Sequence, residues 1–110
     1  MAAKTPPPGK LPKRYLQFRQ DYPDIFQAYK QLGNAASAAG PLNAKTRELV
    51  RLGIAIGSRH EGAVHSHTRR ALEAGCSAEE IRHAVLLAIT AIGFPNAMAA
   101  MSWVDDVLKK

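Results

Sequence analysis

Four histidines are the first groups in this chain to weigh for moving a proton near neutral pH or holding a metal: His60, His65, His67 and His83. Three of them lie in the run His60-Glu61-Gly62-Ala63-Val64-His65-Ser66-His67, where spacing decides the chemistry. The HExxH zinc motif needs histidines at i and i+4 on one helical face. Here His60 and His65 are five apart, which turns their rings about 140° from one another on a helix. In a helix starting at His60, that residue and His67 share a face. They stand two turns apart, about 10 Å along the axis, too far for one zinc ion to bridge. Glu61 and His65 stand at i and i+4, which makes either half a metal site or a plain surface helix pair. The sequence completes no metal set, so no metal and no cofactor is expected. Glu48, flanked by Arg47 and Arg51, reads most simply as a solvated first-turn acid that complements the helix dipole.

Redox chemistry is bounded by one count. Cys76 is the single cysteine, so the chain has no internal disulfide framework and cannot run an intramolecular dithiol cycle.

The elements that must position these groups read as helices throughout. A short helix is expected over Tyr15–Asp21. Pro23 opens a second, with Ile25, Phe26, Tyr29 and Leu32 on one face and Gly33 at its end. Gly40-Pro41 marks a break. Asn43 is the expected N-cap of a helix running to about Ser58, with Leu49, Leu52, Gly53 and Ile56 in one stripe. The next spans roughly His60–Ala74 and stops at Gly75. Ser77-Ala78-Glu79-Glu80 has the form of a capping box, opening a helix through Ile81, Val85, Ala88, Ile89 and Ile92. From Ala84 onward this helix is apolar on nearly every side, which predicts a central position. Gly93 breaks it. Pro95 opens a last helix carrying Met98, Met101, Trp103, Val104 and Leu108, whose apolar surplus predicts an exposed contact surface. With no strand-like alternation, the fold class is all-α: an orthogonal bundle of five or six helices, residues 15–110, behind a basic, Pro-rich flexible arm over residues 1–14.

At 110 residues and 46% hydrophobic, the chain suits one globular domain, and so short a chain invites self-association. The net charge of +6 is uneven: Lys4, Lys10, Lys13, Arg14 and Arg19 face only Asp21 in residues 1–22. Such an arm is either a solvated leader or a contact for an anionic surface. No nucleic-acid motif accompanies it, so a nucleic-acid partner is not expected. The apolar run from Ala84 to Phe94 is about half of what a membrane span needs, and no secretory leader opens the chain. Cytoplasmic residence is the expectation.

Several segments between Lys45 and Trp103 form a pattern. Thr46-Arg47-Glu48-Leu49 opens one helix, and His67-Thr68-Arg69-Arg70-Ala71-Leu72-Glu73-Ala74-Gly75 closes the next. Ser77-Ala78-Glu79-Glu80-Ile81 and Ile92-Gly93-Phe94-Pro95 follow. This pattern resembles the carboxymuconolactone decarboxylase family, which includes the alkylhydroperoxidase D-like proteins. The redox branch of that family carries a Glu, a Cys-x-x-Cys starting twelve residues later, and a His four residues beyond the second Cys. Laid on this sequence, the Glu falls at Glu48 and the His at His67. The two cysteine positions are His60 and Ala63.

The resemblance implies an alkylhydroperoxidase D-like bundle and a homo-oligomer, commonly a trimer or a dimer-built hexamer, with its pocket near a subunit contact. It also implies that Glu48 and His67 pair as carboxylate and imidazole, with His60 as a second ring. Burial beside a carboxylate should then raise the histidine above its ordinary pKa. The decarboxylase branch works without a cofactor on an anionic lactone, so Arg47, Arg51 or Arg59 would hold a small anionic ligand. A cofactor-free lyase or isomerase acting by proton transfer is one reading, and a non-catalytic oligomeric binding or structural protein is the other. A peroxidase is disfavoured, because the thiolate it needs is missing at positions 60 and 63. Accordingly, no dithiol-dependent reduction of hydroperoxides is expected in a coupled thiol-regeneration assay. Turnover that vanished in Cys76→Ser would contradict this and point to pairing of cysteines between subunits.

Overall fold

The computed structural model describes residues 11–109. Among these, the chain is all-α, with no strand: α1 (Lys13–Asp21), α2 (Pro23–Ala38), α3 (Ala44–Gly57), α4 (Glu61–Glu73), α5 (Ala78–Ile92) and α6 (Phe94–Leu108). The fold class is the expected one, at the six-helix end of the expected range. Residues 1–10, most of the expected basic arm, lie outside the described residues. Lys13 and Arg14, also assigned to that arm, already belong to α1. No described helix is long and apolar enough to cross a membrane. The chain divides into two compact units, the first ending at Leu42 and the second starting at Asn43.

The first unit is a helix pair turned at Tyr22, which ends α1 and precedes Pro23 at the start of α2. Its buried centre is Phe26, met edge-on by Tyr15 at 5.7 Å and covered by the Arg19 guanidinium at 5.6 Å. Of the expected apolar face only Phe26 is buried; Ile25, Tyr29 and Leu32 are exposed. Gly33 does not end α2, which runs on to Ala38. The good helix formers Ala35, Ala36 and Ala38 outweigh a glycine cost of roughly 1 kcal/mol.

The second unit carries α3 to α6. Leu52, Ala55 and Ile56 of α3 meet Val64 and Ala71 of α4, Ile81 and Val85 of α5, and Ala100 and Val104 of α6 in one core. Thr68 is the buried polar member, and its hydroxyl donates to the Val64 carbonyl at 2.7 Å, so it is satisfied. The caps fall where expected. Asn43 Oδ1 accepts from the Thr46 N–H at 2.9 Å, and Ser77 and Glu80 complete the capping box. Gly75 leaves α4 at φ +98°, in the left-handed region that glycine enters without steric cost.

Two expectations fail here, both concerning where the apolar surplus goes. The second half of α5 is not central: Leu86 and Leu87 are 50% and 64% exposed. Only the stripe through Ile81 and Val85 reaches the core, because α5 packs on α3 and α6 along one side. The last helix, in contrast, buries Val104 and half-buries Met98, Met101 and Trp103. The exposed apolar surface of this unit therefore lies mainly on α3 and α5, at Val50, Ile54, Leu86 and Leu87.

Candidate functional site

The Asn43 cap fixes the first turn of α3, and with it the face on which Glu48 stands. Opposite, α4 carries His67 one residue before buried Thr68, so the ring is held at the α3–α4 packing surface. The two side chains meet: His67 Nδ1 lies 3.5 Å from Glu48 Oε1. That is longer than an ordinary N–H···O bond and lies at the edge of hydrogen-bonding reach. The other carboxylate oxygen, Oε2, accepts from Arg51 Nη1 at 2.8 Å. The Glu48 side chain is 13% exposed and that of His67 24%, so neither is freely solvated. A largely buried carboxylate needs partners on both oxygens, and here one partner is a cation and the other an imidazole.

Electrostatics sets the charge on the ring, and it reverses the expectation from sequence. Burial lowers the His67 pKa below 6.5, and it outweighs the opposing hydrogen bond and charge of Glu48. Arg70 and Arg51 push in the same direction as burial. The ring is therefore neutral at pH 7, with one nitrogen free to accept a proton. Between the lowered value and 6.5, the unfolded chain binds a proton that the folded chain does not. The group thus subtracts stability as pH falls through that window, and subtracts none above it.

The remaining expected residues are placed less centrally. His60 lies outside the helix it was expected to open, because α4 starts at Glu61. His60 is the N-cap, and its Nδ1 accepts from the Ala63 N–H at 3.1 Å. That bond satisfies a helix-start donor and turns the ring back over Gly62, where an added Cβ would lie 3.3 Å from His60 Cε1. Arg47 is half-buried on α3, beside Glu48. Arg59 sits in the α3–α4 turn at φ +56° and reaches Asn96 at the start of α6, with Nη1 3.4 Å from Oδ1. Of the three arginines, Arg51 contacts the pair directly. Cys76 is buried after α4, with Sγ 3.7 Å from the Lys45 carbonyl. Burial and the charges of Glu80 and Glu48 raise its pKa against the opposing charge of Lys45, which keeps it a thiol.

Sequence reading missed a groove of about 420 Å³ between α3 and α5, lined by Leu49, Val50, Ile56, Leu87, Ala88 and Ile92, among others. Neither Glu48 nor His67 lines it. Its signal was present as small residues four apart, Gly53 and Gly57 on α3 and Ala84 and Ala88 on α5. Also missed was Asp106, which α6 brings to within 3.0 Å of His65 Nε2.

The lowered His67 pKa is directly measurable. A ring-proton NMR titration of chelator-treated protein should give a His67 midpoint below 6.5. Glu48→Gln should lower it further, because Glu48 is the group that raises it. A midpoint above the ordinary value, or an upward shift in the variant, would contradict this electrostatic account.

Comparison with known proteins places this chain in a family. The sequence profile of the carboxymuconolactone decarboxylase family matches residues 23–106, a span that includes Glu48 and His67. The apo crystal structure of a carboxymuconolactone decarboxylase family protein from Legionella pneumophila has the same fold, with a TM-score of 0.74. It is 23% identical, over 87% of this chain and 86% of that one. An uncharacterized protein of Haemophilus influenzae is 39% identical over 59 residues, which are 54% of this chain and 52% of that relative. The chain thus spans about half the length of that curated relative. By its profile match over most of its length, the chain belongs to the carboxymuconolactone decarboxylase family.

Proposed function

We propose that this protein is a cytoplasmic, homo-oligomeric, cofactor-free lyase or isomerase that moves a proton on a small carboxylate or lactone. The observation that carries the reading is the divided carboxylate of Glu48, with one oxygen toward a neutral His67 and the other bound to Arg51. With Nδ1–H turned toward Glu48, the Nε2 lone pair of His67 is free to take a proton from carbon next to a carbonyl. The C–H electron pair passes into the enolate, and the imidazolium that forms sits beside the Glu48 carboxylate, which stabilises it. In the decarboxylation direction, the neutral ring first takes up a proton from solvent. The bond to the departing carbon dioxide leaves its electrons on carbon, and the imidazolium so formed gives that proton to the carbanion and returns to the neutral ring. Arg51 acts as a positioning residue, since its charge is already opposed by Glu48. Arg47 and Arg59 are assigned to the substrate carboxylate, and His60 to a second proton-carrying position at the start of α4. Exposed Val50, Ile54, Leu86 and Leu87 favour a subunit contact through α3 and α5, in keeping with a trimer or hexamer.

A second reading, a non-catalytic binding protein, is favoured by the α3–α5 groove, which is apolar and separate from the pair.

Two measurements test these readings. Wash-in of deuterium at the acidic carbon of small lactones and keto acids, followed by NMR, reports proton transfer whatever product the reaction goes on to form. Glu48→Gln and His67→Asn should each reduce it roughly a hundredfold or more. The double variant should lose little more than either single one, because residues that act as a unit are strongly non-additive. Small additive losses with the fold intact would contradict a catalytic pair. Saturable ligand binding without exchange would favour the second reading. Size-exclusion chromatography with light scattering should show at least a dimer that Leu87→Glu weakens, and a clean wild-type monomer at micromolar concentration would contradict the subunit contact.

A further inference from the structure

A second cluster of chemistry-bearing groups lies on another side of α4. Glu61 is in the first turn of α4 and His65 is one turn later, while Asp106 comes from the end of α6. His65 Nε2 lies 3.0 Å from Asp106 Oδ2 and 3.8 Å from Glu61 Oε2. The three donor atoms all lie within 4.8 Å of one another. The ring is the fixed member, with its side chain 14% exposed, while the carboxylates are 56% and 44% exposed and free to adjust. The end of α6 is held in register by its neighbour Asp105, which accepts from Arg82 Nε of α5 at 3.0 Å. Glu61 and His65 are the half-site that sequence spacing offers, and the fold supplies a third donor from 41 residues away.

One ring hydrogen cannot serve both carboxylates, which otherwise turn to solvent. Nε2 carries at most one hydrogen, and two carboxylates converge on it. Asp106 can take that hydrogen at 3.0 Å, which leaves Glu61 facing the same atom at 3.8 Å with no proton to share. A divalent cation satisfies all three at once. Zinc binds imidazole nitrogen and carboxylate oxygen at about 2.0–2.2 Å, which puts tetrahedral donors about 3.4 Å apart. The two observed separations from Nε2 bracket that value, and rotation of the exposed carboxylates can close the third. One imidazole with two carboxylates suits first-row divalent ions such as Zn²⁺ or Mn²⁺. We propose that Glu61, His65 and Asp106 form a binding site for a first-row divalent cation, with water completing the coordination. Binding through Nε2 places the ring proton on Nδ1, and the ion ties the start of α4 to the end of α6. His67 is two residues further on, about 200° round the helix, so the ion and the Glu48 pair occupy different faces.

Titration of the chelator-treated full chain with ZnCl₂ alone, by calorimetry and by thermal melting, tests this. The expected result is one saturable equivalent per chain at micromolar concentration, with a raised melting temperature. Asp106→Asn and Glu61→Gln change exposed side chains, so both should fold as the wild type does by circular dichroism. Each should weaken binding by roughly tenfold or more, as should His65→Asn, and each should shrink the melting shift. His83→Asn, outside the cluster, should change neither. Two results would overturn the site: binding that saturates only at millimolar concentration, or micromolar binding that all three variants retain.

Discussion

A carboxylate that has lost most of its water sets the terms for the centre of this protein. Glu48 stands where α3 packs on α4, and its two oxygens answer to different helices: one to Arg51 on its own helix, one to His67 across the contact. The cation gives one of those oxygens a charged hydrogen-bond donor at that depth. The imidazole gains a partner, but it gives up more hydration than that partner returns, so it stays neutral. A charged carboxylate beside an uncharged ring is the charge state from which a histidine takes up a proton rather than holding one. Everything that fixes the α3–α4 contact therefore serves this pair. The Asn43 cap sets the face of α3, the Leu52–Val64–Ala71 core sets the depth, and the Thr68 bond to Val64 keeps a polar residue in the packed surface next to the ring.

Helix starts and stops were readable because each depends on a few adjacent atoms. Asn43, Ser77 with Glu80, and Gly75 act through hydrogen bonds and dihedrals within one turn, and the structure has all of them in place. Gly33 was misread because local propensity is summed over a segment, and the alanines after it carry α2 onward. The position of α5 was misread for a different reason. Apolar residues on every side predict burial, but they do not say against what. In a single chain only one stripe of α5 meets a partner, and the rest stands open with Val50 and Ile54. His60 shows a third kind of limit. Its type suggested chemistry, but nothing in the residue order showed that its Nδ1 also caps α4 by accepting from the Ala63 N–H.

Within the site, the meeting of Glu48 with His67 was legible only through resemblance to a family, since nothing local says that residues 19 apart touch. The sign of the pKa shift was not legible at all. It depends on how much water the ring loses, and that is a property of packed helices rather than of residue order. Asp106 beside His65 was hidden in the same way, by a separation of 41 residues and a contact that exists only once α6 lies across α4.

The central claim is a specific proton placement: His67 neutral, with hydrogen on the nitrogen facing Glu48 and the other nitrogen bare. Nitrogen-15 NMR of the imidazole rings reads this directly, because protonated and bare ring nitrogens differ widely in shift. At neutral pH the account predicts a His67 ring with protonated Nδ1 and bare Nε2, and loss of that preference in Glu48→Gln. A ring with both nitrogens protonated at neutral pH, or with hydrogen on Nε2 alone, would contradict it.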